Sequence, residues 1–297
     1  MNNNVKAILL TIAASFFAVF MEALIRAAQY ESNVFTIGFL RFFFGFLIIF
    51  LYLVKNKFIN YRTKNLKFYI IRGMFNIPVM ILGFGALVYI PLEQFKAINF
   101  LSPIIVVILS FLIFREKIYN YRVLALLIGF IGTLIIIRPG VVDFNIGTIM
   151  VLISLIFWSF IILLSKFVSK DDSPLTMVTY QYTLMTIFAL PLAAFFWQTP
   201  SMISILYVFI GAISGTILHL CLGLAYKYAD LSVTQPIWFT GLIFGSGIGF
   251  FAFKEIPDFW TWVGGAVVFS SVLIITYNEK NKDKKNKKNI LSSVDKY

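Results

Sequence analysis

Charged residues are scarce in this chain of 297 residues: they make up 13% of it, whereas hydrophobic residues make up 60% and the mean hydropathy is +0.90. A soluble domain carries roughly a quarter charged residues, so a soluble globular protein is excluded. Histidine and cysteine are scarcer still, with one of each, His219 and Cys221. A single cysteine excludes an intramolecular disulfide and a cysteine-based metal cluster, and we predict no metal and no cofactor. The composition therefore predicts an integral membrane protein.

Acidic residues are few as well, 13 against 25 lysines and arginines, which gives a formal net charge of +12. Such an excess can indicate a nucleic-acid partner. Here, however, most of the basic residues lie in short stretches between apolar segments or in the tail at 280–296, as they do in cytoplasmic loops of membrane proteins. We therefore expect a multi-pass protein of the plasma (inner) membrane, with the lipid bilayer rather than nucleic acid as its partner and both termini in the cytoplasm.

Apolar runs long enough to cross a bilayer as a helix, about 20 residues each, recur ten times along the chain. Short loops with turn-forming residues separate them, which leaves no room for a soluble domain. The predicted spans are 5–28, 34–54, 68–90, 93–114, 121–138, 146–168, 175–197, 203–226, 232–253 and 260–277.

The pattern of residues 86–138 returns without a gap 139 positions further on, at residues 225–277. Both copies have two apolar runs around a short charged hinge, and the hinge residues Glu116 and Glu255 coincide. Two apolar stretches always share some Phe and Ile, so the matched acidic hinge is what indicates a duplication. We interpret both glutamates as structural residues at the membrane edge, which cap the next helix or pair with a loop lysine.

The ten spans divide into repeats at 5–138 and 146–277, followed by a basic cytoplasmic tail at 278–297. Because each repeat has an odd number of spans, the second must cross the membrane upside down relative to the first. Inverted repeats are typical of carriers, whose two halves rock about a site near the midplane, and channels or membrane enzymes do not need them. We therefore predict an all-α integral membrane fold of ten transmembrane helices in two inverted five-helix repeats.

This layout resembles the drug/metabolite transporter superfamily, specifically carriers with two EamA-type repeats. The resemblance covers about residues 5–277. It is carried by Arg26, by the FLRFFF segment at 39–44, by 103–116 and by the second-half counterpart at 235–257. It implies a secondary carrier for a small molecule. Nothing in the chain resembles an ATP-binding loop, so ATP-driven pumping by this polypeptide alone is excluded.

A finer resemblance links the chain to the S-adenosylmethionine uptake carriers of intracellular alphaproteobacteria. It rests on the acidic and basic residues of Glu22-Ala-Leu-Ile-Arg26, fifteen residues before Arg41, and on the segment 253–258. The ninth span departs from that pattern, because it lacks charged groups around Trp238. S-adenosylmethionine uptake is therefore one expectation, and a sister family with another cargo is the alternative.

Placing a charged side chain inside the hydrocarbon of the bilayer costs free energy, so each such residue needs a structural or functional explanation. Glu22 and Arg26 lie four residues apart, one above the other on a helix face. They either neutralise each other to permit insertion or form a paired site that opens for a zwitterion. Arg41 either snorkels to the outer interface or binds a carboxylate or phosphate. Glu93 and Lys96 form an interfacial pair or a gate.

Polar and aromatic residues within the spans are the remaining candidates for substrate binding. Each of them alone is explained by packing or by interhelical hydrogen bonds, and His219 more readily so than by proton relay. Together they predict a central cavity between the repeats, lined by spans one, two, seven, eight and nine. The candidates, besides the three charged residues above, are Asn76, Asn99, Tyr180, Gln181, His219, Gln235 and Trp238.

Three function classes remain open at this point. The favoured one is a secondary carrier that moves a small polar or zwitterionic metabolite by alternating access, either as an importer or as an amino-acid, metabolite or drug exporter. A membrane enzyme is the second, but the sequence has no serine–histidine, twin-aspartate or HExxH pattern. A non-transporting assembly protein is the third. The coupling ion and the oligomeric state, monomer or homodimer, are undetermined.

Overall fold

The computed structural model describes residues 3–55, 62–99, 101–115, 119–138, 145–256 and 259–294, and within these ranges every regular element is helical. Glu116, one of the two hinge glutamates, lies outside them. The helices are α1 (Asn3–Ala28), α2 (Val34–Lys55), α3 (Leu66–Pro78), a π-helix (Val79–Phe84), α4 (Leu92–Asn99), α5 (Leu101–Phe114), α6 (Asn120–Ile137), α7 (Ile146–Val168), α8 (Pro174–Phe195), α9 (Met202–Tyr228), α10 (Leu231–Thr234), a 3-10 helix (Gln235–Phe239), α11 (Thr240–Phe253) and α12 (Phe259–Val294).

Seven of these segments are long and apolar enough to cross a membrane, among them Leu66–Phe84 and Leu231–Phe253, which each join two or more consecutive elements. Three shorter apolar helices, Ile105–Phe114, Asn120–Gly132 and Trp262–Ile275, fall at the predicted fourth, fifth and tenth spans. The helical prediction is thus confirmed, and the ten spans appear at the expected places. The third span is shorter than predicted, because its helical residues end at Ala86 and a turn follows up to residue 90.

Two spans change helix type at a proline. Pro78 ends α3, and the chain continues as the π-helix. Pro236 lies in the 3-10 helix between α10 and α11. Proline lacks a backbone N–H and its ring crowds the preceding turn, so the regular hydrogen-bond ladder cannot run through it. Both irregular segments face the centre of the bundle, where non-helical backbone is tolerated in a membrane protein.

Contacts between loops define the two ends of the helical bundle. At the end where α1 begins, Asp172 accepts hydrogen bonds from Thr63, Asn65 and Tyr69, which ties the α7–α8 loop to the start of α3. We call this the N-terminal end. At the opposite end, the side chain of Ser32 donates to the carbonyl of Gln198, joining the α1–α2 loop to the segment after α8.

Helix packing is reciprocal between the two repeats. The longest contact joins α1 to α9, and its counterpart joins α7 to α3. Likewise the contact between α2 and α9 has its counterpart in the contact between α8 and α3, and the corresponding helices α2 and α8 pack on each other. The corresponding helices α6 and α12 pack on each other. Such exchange of partners is what a pseudo-two-fold axis between inverted repeats produces.

Candidate binding cavity

A central cavity of about 130 Å³ lies between the two repeats. The first repeat contributes residues of α1 to α5 and the π-helix, and the second contributes α7, α8, α9 and the 3-10 helix. The third, fourth and sixth spans therefore line it in addition to the five that we expected. Eight of the ten predicted residues face this cavity: Glu22, Arg41, Asn76, Asn99, Gln181, His219, Gln235 and Trp238.

Arg41 is held inside the cavity rather than snorkelling to an interface. Its side chain is buried, with 2% of the residue exposed, and its Nε donates to the sulfur of Met21 at 3.0 Å. The guanidinium lies 4.4 Å from the centre of the Phe42 ring, where a cation is attracted to the aromatic face. Glu22 lines the same cavity from α1. The cavity thus presents an acid and a base carried by neighbouring helices.

Three hydrogen-bond donors at the cavity wall have no protein partner among the described residues. They are Asn76 Nδ2, Gln235 Nε2 and the indole Nε1 of Trp238, and all three are buried. Buried polar groups in proteins are nearly always hydrogen-bonded, because leaving one unpaired costs about 1–3 kcal/mol. Donors that converge on a cavity without protein acceptors are suited to binding the acceptors of a ligand.

Gln181 connects the cavity to a residue that sequence reasoning misplaced. Its Oε1 accepts a hydrogen bond from Arg72 Nη2, and its Nε2 lies 2.9 Å from His219 Nε2. The charge distribution along the sequence groups Arg72 with the basic residues of the neighbouring cytoplasmic loop, but it is buried, with 6% of the residue exposed. The signal was present in the sequence, since Arg72 falls inside the predicted third span.

The structure adds an aromatic wall that the sequence did not single out. Trp158 of α7 lines the cavity together with Phe84 and Phe95. Two small hydroxyl residues, Ser102 and Ser154, complete this side. In a chain with 34 Phe, no local pattern separates aromatic residues that face a cavity from those that face lipid, so these positions depended on the tertiary fold.

Two predicted residues do not line the cavity. Tyr180 stacks on Tyr69, with ring centres 4.6 Å apart, beside α3. Arg26 forms an ion pair with Glu255, at 2.6 Å between Nη1 and Oε1, and its guanidinium lies 4.3 Å from the ring centre of Phe253. Arg26 therefore joins α1 to the end of α11 across the two repeats. Glu255 pairs with this arginine of the other repeat, where we had expected a helix cap or a loop lysine.

A model of the EamA-like transporter family matches residues 5–138 and again residues 145–277. This chain belongs to that family. The fold agrees with a solved crystal structure that shares 16% sequence identity, with a TM-score of 0.75 over 93% of this chain and 98% of the other.

Relatives of known name are membrane transporters. A riboflavin transporter of Vibrio cholerae is 33% identical over 75% of this chain and 76% of its own length. An S-adenosylmethionine uptake transporter of Rickettsia bellii is 26% identical over 83% of this chain and 84% of its own. A pseudopaline exporter of Pseudomonas aeruginosa is 24% identical over 93% and 97%. The chain is thus a multi-pass membrane transporter of the EamA family for a small molecule.

Proposed function

We propose that this transporter carries a zwitterionic metabolite with an aromatic ring, and that S-adenosylmethionine is the cargo. The observation that carries the proposal is the joint placement of Glu22 and Arg41 in one aromatic cavity. The carboxylate of Glu22 suits the ammonium and sulfonium cations of such a solute, and the fork of Arg41 suits its carboxylate. Trp158 and Trp238 offer surfaces for the adenine ring.

A neutral cargo fits this cavity less well. Riboflavin would stack on the same rings but would leave both charges desolvated without a new partner, and burying charges in that way is unfavourable. The electrostatics therefore favour the zwitterion, although the riboflavin transporter has the higher identity. Riboflavin is the second candidate because of that identity and because of the aromatic wall.

Transport would proceed by alternating access of the two repeats, without a chemical step on the cargo and without a cofactor. Arg26 and Glu255 join the repeats at one end of the bundle, and this pair would break when that end opens. We place both termini in the cytoplasm, as the distribution of lysine and arginine favours. That orientation puts the Arg26–Glu255 pair on the outer side.

The test is uptake of labelled S-adenosylmethionine into vesicles containing the purified protein, together with the melting temperature of the detergent-solubilised protein across a ligand panel. We expect Glu22→Gln to reduce uptake and ligand-induced stabilisation by about tenfold or more, because it removes a charge-assisted contact. Glu31→Gln is the matched control. Glu31 accepts hydrogen bonds from Ser201 and Ser204 outside the cavity, so the same change in charge there should leave uptake intact.

The outcomes separate the candidates. Stabilisation by S-adenosylmethionine that is lost in Glu22→Gln and kept in Glu31→Gln supports the proposed cargo. Stabilisation by riboflavin alone moves the assignment to the neutral cargo. Equal uptake of S-adenosylmethionine by wild type and Glu22→Gln contradicts the role of Glu22.

A further inference from the structure

A second, smaller cavity adjoins the central one on the side toward the N-terminal end of the bundle. Its own walls include Arg72 in the middle of α3, Ser165 near the end of α7 and Tyr226 near the end of α9. It shares Trp158, Ile162 and His219 with the central cavity, so these three side chains form a partition between the cavities.

Two residues of this second cavity, Arg72 and Tyr226, have hydrogen-bond donors that lack acceptors among the described residues. Two of the three nitrogens of the Arg72 guanidinium, Nε and Nη1, are buried without a hydrogen-bond partner in the described part of the chain. The hydroxyl of Tyr226 is buried in the same way, with 3% of the residue exposed. No carboxylate of the described residues forms an ion pair with Arg72.

A buried guanidinium without a counter-ion is unfavourable. What the second cavity lacks is hydrogen-bond acceptors. The three N–H groups on Nε and Nη1 and the phenolic hydroxyl lack acceptors, and an oxyanion with several lone pairs can accept from them. Arg72 is also connected to the central cavity through Gln181, which accepts a hydrogen bond from its third nitrogen, Nη2. The two cavities are therefore neighbours along one chain of polar side chains, Arg72, Gln181 and His219.

The position of the second cavity suits the exit of a cargo. It lies beyond the partition on the way to the N-terminal end, where Lys166 Nζ donates to the carbonyls of Tyr226 and Ala229 and so joins the ends of α7 and α9. Arg41 lies in the central cavity, on the other side of the partition. A carboxylate that leaves Arg41 in this direction meets Arg72 next.

We propose that the second cavity is a second binding station for the carboxylate of the cargo, formed by Arg72 and Tyr226, which receives that group from Arg41 as the carrier opens toward its N-terminal end. This inference rests on the proposed transport of a zwitterion. The second station lowers the free-energy barrier to movement of the cargo through the carrier, because the carboxylate is never without a cationic or hydroxyl partner.

Tyr226→Phe is the best probe, because it removes one hydroxyl from the wall of the second cavity and keeps the ring. In vesicles, we expect about a tenfold slower uptake of S-adenosylmethionine, as for loss of a hydrogen bond to a charged group. Uptake of its decarboxylated analogue should be unchanged by the substitution. Tyr228→Phe is the matched control: it alters a tyrosine one half-turn away, beside Lys6, and should behave as wild type.

A second measurement does not depend on the cargo. Acetate should raise the melting temperature of wild type and of Tyr228→Phe more than that of Tyr226→Phe, with acetamide, the neutral isostere, as the reference at equal ionic strength. Equal acetate-dependent shifts in all three proteins overturn the second station. If the wild type does not take up S-adenosylmethionine, the proposed cargo is wrong. The acetate comparison still tests whether the second cavity binds a carboxylate.

Discussion

At the scale of single residues, Gly215 leaves the space that the guanidinium of Arg41 occupies. A Cβ atom at position 215 would lie 2.6 Å from Arg41 Nη2 and 3.0 Å from the sulfur of Met21. A Cβ atom at Gly211, one turn earlier on the same helix, would meet no atom closer than 3.8 Å, an ordinary contact. The absence of a side chain at 215 thus helps to hold Arg41 in its cavity position.

We therefore predict that Gly215→Ala weakens the binding of a zwitterionic ligand by roughly fivefold or more, because crowding of about 1–3 kcal/mol must displace Arg41 or Met21. Gly211→Ala should bind as wild type does. Titration calorimetry measures both affinities, and the melting temperature without ligand shows whether either variant is misfolded. Wild-type affinity in a well-folded Gly215→Ala protein would contradict this account of Arg41.

Neighbouring residues on one helix show what the sequence could and could not predict about the cavity. Consecutive helical positions point about 100° apart, so the sequence alone does not say which of Tyr180 and Gln181 faces the cavity. The structure selects Gln181. Arg26 and Glu22 do share a face, but the cavity ends between them, and only the tertiary packing decides where it ends.

At the scale of helices, two glycines bring α6 and α12 into close contact. A Cβ atom at Gly132 would lie 2.9 Å from the carbonyl oxygen of Gly264, a backbone atom that cannot move without its helix. A Cβ atom at Gly265, the next residue of α12, would meet nothing within 4 Å. Small residues at such crossings let helices approach and gain packing contacts in a membrane.

We predict that Gly132→Ala lowers the free energy of unfolding by about 2 kcal/mol, because α6 and α12 must separate. Gly265→Ala should have little effect. Thermal unfolding in the same detergent compares the two variants with wild type. Equal melting temperatures for the two alanine variants would mean that the contact between these helices tolerates an added methyl group.

The positions of the helices could be predicted from the composition of the sequence, whereas the irregular helical segments could be predicted only in part. The ten apolar runs predicted the helices because a bilayer-spanning helix must satisfy its own backbone hydrogen bonds. Pro78 and Pro236 lie where two spans become irregular, but proline alone does not show that one is followed by a π-helix and the other lies in a 3-10 helix, and Pro191 lies within the continuous helix α8. Arg72 was misplaced for another reason: the depth of a charge near a helix end depends on what the neighbouring helices offer it, here Gln181.

At the scale of the whole molecule, the inverted repeat makes the two ends of the bundle chemically different. The end opposite the N-terminus is joined by the ion pair of Arg26 and Glu255. The N-terminal end is joined by Lys166 on backbone carbonyls. Lys166 lies 140 positions after Arg26, near the end of the first helix of its repeat as Arg26 is of its own. The cation is kept in both repeats while its partner differs, so the two ends need not open with equal ease.

Which end faces the cytoplasm then decides the direction of the proposed route through Arg72. The lysine and arginine distribution predicts that the N-terminal end is cytoplasmic. We expect Tyr30→Cys, at an exposed position of the opposite end, to react with a membrane-impermeant maleimide in intact cells, and Lys64→Cys to react only after permeabilisation. A Cys221→Ala background removes the native thiol, and that background alone should stay unlabelled. The reverse labelling pattern would place both termini outside and turn the second station into an outward-facing one.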